Sequence, residues 1–346
     1  MLNWLRKKFS ADLAIDMGTS STRIGLPGEG IRLDEPSVVA VGRNPGAVIG
    51  RGAAVGRLAH QMLGRTPEGI RAVRPVEHGV ISDYELTEAM LRYFLQKATG
   101  KRMGIRPRVI IAVPGCITAV GKRAIINSAE RAGAGQIWLV EKSRAAAIGA
   151  GLPISEPLAS LVCDIGGGTT EAAVMSLGDI VAARSLRTAG DVMDKAVVQF
   201  LRRRYSLRIG EQSAEQLKIL IGSAAPLDHE TSREISGLDT ASGIPRRAMI
   251  TSEEVREALQ NSLMEIVDGV RGTIELCPPE LVTDLADTGM VLTGGTARLR
   301  GISQFMAQHL GIPVRVADAP RTIVTRGAMI CLDHLEQWQS RLDRGR

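Results

Sequence analysis

The sequence predicts an α/β fold of two related domains, and three observations support that expectation. Two short glycine-rich turns, each entered from an apolar strand through an aspartate, lie 148 positions apart at Asp16 and Asp164. Strand-like apolar runs alternate with helix-like segments, as in residues 108–113 followed by residues 122–132. The length of 346 residues is too great for one simple core and suits two α/β domains.

The two aspartate turns resemble each other in the order of their residue types. Each continues into what reads as a returning strand rather than a helix, and a third glycine-rich turn lies near the C-terminal end. The turn residues are Gly18, Thr19, Ser20 and Ser21 in the first, Gly166, Gly167, Gly168, Thr169 and Thr170 in the second, and Gly294, Gly295, Thr296 and Ala297 in the third.

Such turns are typical of a site for the phosphate chain of a nucleotide. Glycine lets backbone amides converge on an anion, and serine or threonine adds hydroxyl donors. An aspartate at the end of a buried strand is costly unless it is paired or serves a cation, so Asp16 and Asp164 are predicted to share Mg²⁺ through waters. Neither turn has the Gly-Lys-Ser/Thr ending of a P-loop. A ligand-free hairpin is the alternative for one turn alone, and repetition of the pattern disfavours it.

Composition narrows the class of protein and its partners. No apolar run reaches the roughly 18 residues of a membrane span, so a soluble or peripheral protein is expected. The four cysteines have no paired spacing, which suggests neither a zinc site nor disulfides and suits a reducing cytoplasm. The net charge of +6 would ordinarily suggest nucleic acid, but the basic residues are dispersed and aromatics make up only 3% of the chain. No nucleic-acid partner is expected, and an anionic membrane is the favoured polyanion.

The turns also resemble those of a known family. They are similar to the phosphate and adenosine motifs of the actin, Hsp70 and sugar-kinase superfamily, and within it the chain closely resembles the MreB family of bacterial actins. The resemblance runs from about residue 12 to about residue 335. It is carried by residues 34–40, 63–67, 74–75, 79–84, 145–153, 164–171, 209–211, 278–281 and 289–301.

The resemblance implies an actin-like ATPase fold, with two related domains of two subdomains each around a cleft for ATP or ADP with Mg²⁺. Domain I would take residues 10–147 and 320–346, with a smaller subdomain at about 34–74. Domain II would take residues 148–319, with a smaller subdomain at about 186–249. Rotation of the domains would then follow the nucleotide state.

The resemblance also assigns roles to individual residues. Glu215 and Lys218, three positions apart on one helical face, would meet the ribose and adenine, although the residues alone favour a solvated ion pair. Asp191 either lies at the cleft or caps the helix that follows it. The phosphate contacts would be Thr19, Ser20, Ser21, Gly168, Thr169 and Thr170, and the contacts under the base would be Gly294, Gly295, Thr296 and Ala297.

Two departures from the family pattern bear on catalysis and binding. The family usually has two glutamates before the Ala-Ala-Ala run, and the second is thought to position the attacking water; here the pair is Glu141 and Lys142. An ammonium does not accept a proton near neutral pH, so we expect ATP to be bound but hydrolysed slowly or not at all. Glu141 would substitute only if the loop shifts, and Thr169 is the other catalytic candidate. Thr296 replaces a glycine, and its Cβ either crowds the adenine or its hydroxyl contacts phosphate.

Two segments are predicted to contact a membrane. The first nine residues place apolar side chains at helical spacing with cations behind them, which fits an interfacial amphipathic helix. They lack the apolar core of a secretory signal, and a frayed tail or a helix packed on its own domain is the alternative. The basic loop at residues 101–106 matches the family's membrane-inserting loop in position. The predicted contacts are Leu2, Trp4, Leu5, Phe9, Met103 and Ile105.

Three classes of function remain open. A cytoskeletal ATPase would stack head to tail into protofilaments, which are paired in the family. A small-molecule kinase of the same superfamily would need a substrate pocket and a catalytic aspartate that the sequence does not place. A chaperone of the Hsp70 type would need a peptide-binding domain for which no residues are left over. The first class is favoured. By resemblance it implies a cytoplasmic protein, peripheral on the inner face of the membrane, that scaffolds cell-wall elongation and rod shape with membrane proteins of that machinery.

Overall fold

Strands and helices alternate along the chain as predicted, in a computed structural model that describes residues 11–42, 54–100 and 106–345. The strands are β1 (Leu13–Met17), β2 (Ser21–Leu26), β3 (Gly30–Pro36), β4 (Val39–Val41), β5 (Arg71–Val73), β6 (Val76–Glu77), β7 (Val80–Ile81), β8 (Val109–Val113), β9 (Ile137–Glu141), β10 (Ser160–Ile165), β11 (Thr170–Ser176), β12 (Asp179–Leu186), β13 (Leu207–Arg208), β14 (Ser232–Asp239), β15 (Pro245–Thr251), β16 (Met290–Thr293), β17 (Val314–Val316) and β18 (Asp343–Arg344). The helices are α1 (Arg57–Met62), α2 (Tyr84–Thr99), α3 (Ala119–Ala132), α4 (Lys142–Gly149), α5 (Gly190–Tyr205), α6 (Glu211–Ile221), α7 (Ser252–Ile274), α8 (Pro279–Thr288), α9 (Ile302–Leu310), α10 (Ile323–Asp333) and α11 (Leu335–Trp338).

The chain divides into two compact units, each with its own hydrophobic core. Unit 1 holds the described residues up to Ser155 and those from Arg321 onward, and unit 2 is Glu156–Pro320. Unit 1 buries residues of β1, β8, α2 and α3, whereas unit 2 buries residues of β10, α5, α7 and α9. The domain and subdomain boundaries expected from the sequence remain predictions.

The sheet of unit 1 places β1 in its interior, in the order β18-β9-β8-β1-β2-β3. Strand β1 runs parallel to β8 and antiparallel to β2, so the returning strand after the first turn is confirmed. All five residues of β1 are buried, and a continuous apolar run of this kind is typical of a strand covered on both faces.

The main sheet of unit 2 repeats this pattern in the order β12-β11-β10-β16-β17. Strand β10 runs antiparallel to the returning strand β11 and parallel to β16, as β1 does to β2 and β8. All six residues of β10 are buried. The two aspartate turns therefore lie at equivalent places in two similar sheets, and a further sheet of β13, β14 and β15 belongs to unit 2.

Helix α4 begins directly after β9 and is held closely against α10 in unit 1. A Cβ added at Gly327 would lie 1.7 Å from the carbonyl oxygen of Ala145, and one added at Gly149 would lie 2.1 Å from that of Ile323. Only glycine permits this approach of two backbones, because neither carbonyl belongs to a flexible side chain. The packing fixes α4, and with it Lys142 at the first helical position.

The predicted membrane contacts, Leu2 to Phe9 together with Met103 and Ile105, lie outside the described residues. Within the described ranges, no helix is both long enough and apolar enough to cross a bilayer.

Candidate functional site

The first turn is closed by a backbone hydrogen bond in which the amide of Gly18 donates to the carbonyl of Ser21 at 3.1 Å. A Cβ at Gly18 would lie 2.7 Å from that carbonyl oxygen, so the tight approach requires glycine. The hydroxyl of Ser37 donates to the carbonyl of Gly18 at 2.7 Å, and its amide donates to the carbonyl of Ser20 at 3.1 Å. The turn is thus held from its own strands and from the end of β3.

The hydroxyl groups of the first turn differ in their surroundings. Thr19 is buried, and its hydroxyl accepts a hydrogen bond from the amide of Gly79 at 3.0 Å. The half-buried Ser21 accepts one from Arg23 at 2.8 Å. Each of these two hydroxyl groups accepts a hydrogen bond, so its own hydrogen must point toward a different partner.

Asp16, which enters the first turn, lies between two cations. Its Oδ1 atom is 3.0 Å from Nζ of Lys142, and its Oδ2 atom is 3.5 Å from Nη1 of Arg23. All three side chains are less than one tenth exposed. Oδ1 accepts no well-aligned hydrogen bond, so Lys142 acts on Asp16 through its charge rather than through a hydrogen bond. Arg23 faces Asp16 in the β1–β2 register and also reaches Asp34 at 3.2 Å.

Glu141, the other catalytic candidate of this segment, is paired within its own turn. Nε of the buried Arg144 donates to its Oε2 atom at 3.2 Å. Glu141 precedes helix α4 and its side chain forms no capping hydrogen bond. The carboxylate is therefore directed to Arg144, whereas the neighbouring Lys142 reaches the first turn.

The second turn has the same backbone hydrogen bond and a different set of side chains. The amide of Gly166 donates to the carbonyl of Thr169 at 2.9 Å, which matches the closure at Gly18. Asp164 accepts a hydrogen bond from the hydroxyl of Thr293 at 2.8 Å, across the parallel pair of β10 and β16. Opposite Asp164 on β11 stands Glu171, and both carboxylates are buried. Burial and the adjacent Asp164 raise the pKa of the Cys163 thiol.

The third turn is tied to the second by Thr296. Its hydroxyl donates to the carbonyl of Gly166 at 2.8 Å, so the hydroxyl binds the protein's own backbone, which is neither of the two alternatives expected from the sequence. Gly294 has a φ of 90°, and a Cβ there would lie 2.3 Å from the carbonyl of Ile165. Gly295 follows it, and Ala297 is 1% exposed in the short 3₁₀ turn Thr296–Arg298.

Asp191 lies in the first turn of helix α5, next to the second glycine turn. Its amide donates to the carbonyl of Gly167 at 2.8 Å, and the amide of Gly190 donates to that of Gly166 at 3.2 Å. The helix cap is Ala189, without a side-chain hydrogen bond, so the prediction of Asp191 as a capping residue was wrong. A carboxylate in the first turn of a helix interacts favourably with the positive end of the helix dipole.

Lys218 is buried and forms an ion pair that the sequence did not reveal. Its Nζ atom is 2.7 Å from Oδ1 of Asp194 and donates to the carbonyl of Gly190 at 2.9 Å, which anchors the start of α5. The expected solvated pair with the half-buried Glu215 is replaced by this contact. Burial raises the pKa of Asp194 to about 6; Lys218 opposes that shift, and Glu215 adds to it.

The two aspartates differ in how well they fit the predicted Mg²⁺. Mg²⁺ prefers carboxylate oxygens and waters in octahedral geometry. Asp164 and the opposing Glu171 present two buried carboxylates beside a hydroxyl, which fits a divalent cation. Asp16 already has an ammonium 3.0 Å from Oδ1 and a guanidinium near Oδ2, which does not fit. The described residues contain no group of three or more His, Cys, Asp or Glu side chains placed to hold a metal.

Four residues of these sites were not identified from the sequence. Arg23 and Glu171 follow their aspartates by seven positions, and pairing the two arms of each hairpin would have placed them opposite the aspartates. Thr293 and Asp194 reach their partners through sheet pairing and helix packing between distant segments, for which the sequence gives no local signal.

Solved structures identify the class of this fold. Spiroplasma citri MreB5 bound to AMPPNP matches with a TM-score of 0.90 at 32% identity, covering 96% of this chain and 98% of that one. The chain of a MamK double helical filament matches with a TM-score of 0.78 at 20% identity, over 94% and 99%, a likeness in fold alone. The protein therefore has the actin-like ATPase fold, and that prediction is confirmed.

Sequence comparison then gives the family. The family model described as MreB/Mbl protein matches residues 10–340. The cell shape-determining protein MreB of Escherichia coli (strain K12) is 47% identical over 337 residues, 97% of each chain. The cell shape-determining protein Mbl of Bacillus subtilis (strain 168) is 43% identical over 333 residues, 96% of this chain and 99% of that one. The chain belongs to the MreB/Mbl family.

Proposed function

We propose that this chain binds ATP through its two aspartate turns and polymerises into filaments that determine cell shape. One observation carries the proposal: in each unit, an aspartate lies two positions before a glycine whose amide closes the turn. Related proteins support it, because the similar MreB5 has been solved with AMPPNP and with ADP. The similar E. coli and B. subtilis proteins are named for determining cell shape.

The phosphate chain would be held by amides and hydroxyls of both turns. Thr19, Ser20 and Ser21 would contribute from unit 1 and Thr169 from unit 2, whereas the predicted contact Thr170 is fully buried and its hydroxyl already donates to the carbonyl of Thr188 at 2.7 Å. Mg²⁺, when bound, would be held at Asp164 and would neutralise phosphate charge. Glu215, Lys218 and the third turn remain the proposed contacts of the nucleoside. In that role Lys218 would also hold Gly190 and Asp194 in place beside the second turn.

Nucleotide binding is tested by titrating the protein with a fluorescent ATP analogue and displacing the analogue with unlabelled ATP. Thr169→Val removes one buried hydroxyl at nearly constant volume and should weaken ATP binding about tenfold, since a hydrogen bond to a charged group contributes roughly 1.5–3 kcal/mol. Thr283→Val removes an exposed hydroxyl from α8 and should leave the affinity unchanged. Absence of any displaceable binding would refute the proposal.

Filament formation is the second part of the proposal. A head-to-tail contact between identical subunits does not close on itself, so it generates protofilaments, which we propose to be paired. ATP-dependent pelleting together with filaments in electron micrographs is the expected result. A protein that binds ATP and stays monomeric at every concentration would contradict this part.

We further propose that hydrolysis is slow. The ammonium of Lys142 lies 3.0 Å from the Asp16 carboxylate, and an ammonium does not accept a proton from water. Restoring a carboxylate with Lys142→Glu should raise steady-state phosphate release by about 100-fold, the lower range for a general base. Lys122→Glu, which reverses an ion-paired lysine on α3, is the control. Equal rates for the wild type and Lys142→Glu would contradict slow hydrolysis by this cause.

The membrane and cell-wall roles are proposed from the sequence. The basic, apolar first nine residues and the loop with Met103 and Ile105 would bind an anionic membrane surface on the cytoplasmic side. There the filaments would scaffold membrane proteins of cell-wall elongation. Deleting residues 1–9 should reduce co-sedimentation with anionic liposomes, and unchanged pelleting would count against the anchor.

A further inference from the structure

The side chains around the first turn carry a net positive charge. Arg23, Lys142 and Arg321 lie around the carboxylates of Asp16 and Asp34 at 3.0–3.5 Å. Three cations and two carboxylates leave one formal positive charge. A glutamate in place of Lys142, the usual residue of the family, would change this sum by two and make it negative.

Lys142 also lies close to the turn backbone. A Cβ built at Gly18 would be 3.9 Å from its Nζ atom, so the ammonium lies on the side of the glycine from which a side chain would extend. Lysine is an effective phosphate ligand as a compact point charge. The close packing of α4 on α10, at Gly149 and Gly327, fixes the helix from which this side chain extends.

A divalent cation at the same carboxylate would meet strong repulsion. It would need the Oδ1 atom of Asp16, which is already 3.0 Å from the ammonium, and the side chains of Asp16, Arg23 and Lys142 are each less than one tenth exposed. Charges buried this deeply are weakly screened. The site therefore accommodates a lysine or a metal at Asp16, and the sequence of this chain supplies the lysine.

We infer that the ammonium of Lys142 takes the place of the divalent cation at the first turn, so that the phosphates of ATP meet an ammonium rather than Mg²⁺ at Asp16. The inference rests on the proposed ATP binding. It goes beyond that proposal because it states how phosphate charge is neutralised in unit 1.

The test compares ATP affinity in excess MgCl₂ with affinity in excess EDTA, by displacement of a fluorescent ATP analogue. The wild type should lose at least fivefold less affinity than Lys142→Glu when the metal is removed, because the wild type then loses Mg²⁺ only from Asp164. Lys142→Glu should lose 50-fold or more, because its two carboxylates would repel the phosphates unless a cation lies between them. Lys142→Met, which removes the charge and keeps the chain length, should weaken binding in EDTA by tenfold or more relative to the wild type.

A control variant and the range of outcomes distinguish failure of this inference from failure of the proposed ATP binding. Lys97→Met removes a lysine that is 2.7 Å from the buried Glu35 carboxylate in the same unit, and should preserve the wild-type ratio. A wild-type loss in EDTA within fivefold of that of Lys142→Glu overturns the inference while ATP binding stands. No displaceable binding in either buffer refutes the ATP proposal itself. If Lys142→Glu fails to fold, which thermal unfolding would reveal, the comparison of the wild type with Lys142→Met in EDTA decides, and equal affinities overturn the inference.

Discussion

In unit 1 the aspartate of the glycine turn faces an arginine across the hairpin, whereas in unit 2 the equivalent aspartate faces a glutamate. Arg23 and Glu171 occupy the same register position, and the closing hydrogen bonds, at 3.1 and 2.9 Å, are nearly the same. Backbone geometry in these turns follows from glycine and strand pairing. Their charge follows from the side chains opposite, so two copies of one turn offer different chemistry.

A buried lysine in each unit, Lys142 and Lys218, extends this contrast. In unit 1 Lys142 forms an ion pair with Asp16, the aspartate of the turn. In unit 2 Lys218 forms one with Asp194, one helical turn into α5. The first turn is thus a cationic site suited to phosphate oxygens. The second keeps two buried carboxylates, Asp164 and Glu171, suited to a cation.

The largest effect is expected from making the first turn resemble the second with Arg23→Glu. The variant would place a third carboxylate near Asp16 and Asp34 and remove their shared cation. Breaking a buried ion pair costs about 3–5 kcal/mol, so we expect the free energy of unfolding of unit 1 to fall by about 4 kcal/mol. Denaturant titration followed by limited proteolysis of each unit measures this.

The control for that variant is Arg92→Glu, at an exposed pair with Glu88 on α2. Exposed pairs contribute at most about 1 kcal/mol, so its effect should be small. If Arg23→Glu were no more destabilising than Arg92→Glu, the charge difference between the turns would have no energetic consequence.

Alanine at the closing glycine should distinguish the two backbones. A Cβ at Gly18 would lie 2.7 Å from the carbonyl oxygen of Ser21, but one at Gly166 would lie 3.1 Å from that of Thr169. We expect Gly18→Ala to cost about 2–3 kcal/mol and Gly166→Ala about 1 kcal/mol, because the first forces backbone atoms farther apart than the second. Chemical denaturation of the two variants gives the comparison, and equal losses would contradict it.

A pH dependence is expected from Asp194 in unit 2. Burial raises its pKa from 3.8 to about 6, so between these values the folded protein binds a proton that the unfolded chain has released. Its contribution to stability is therefore complete below pH 4 and is lost as the pH rises through 6. The full loss should amount to about 3 kcal/mol, since one pKa unit corresponds to about 1.4 kcal/mol, and about 2 kcal/mol of it falls between pH 4 and pH 7.

The measurement is the difference in unfolding free energy between the wild type and Asp194→Asn at pH 4 and at pH 7. The wild type should be relatively more stable at pH 4. Asp268→Asn, at an exposed carboxylate on α7, serves as the control and should show little change in this difference. A pH-independent difference for Asp194→Asn would show that Lys218 compensates fully for burial.

The sequence predicted the parts of this molecule that local patterns specify. Both hairpins, the helix after β8 and the three glycine turns follow from apolar periodicity and from residues such as Gly18, whose substitution the backbone excludes. It did not predict that Lys142 would contact Asp16 or that Lys218 would contact Asp194. Those contacts depend on how the fold brings together segments that are distant in sequence. The charge of a lysine alone does not determine which carboxylate it contacts.

The smallest effect on stability is expected from the hydrogen bond that links the second and third turns. The hydroxyl of Thr296 donates to the carbonyl of Gly166, which is half-buried, and a hydrogen bond of this kind contributes about 1 kcal/mol net. Thr296→Val should therefore lower the unfolding free energy of unit 2 by about 1 kcal/mol, whereas Thr296→Ser should retain most of it. If the two variants were equally destabilised in denaturant titrations, the methyl group rather than the hydroxyl would join these turns. The second turn would then be held by its own strands and by the amides of Gly190 and Asp191, without help from the third turn.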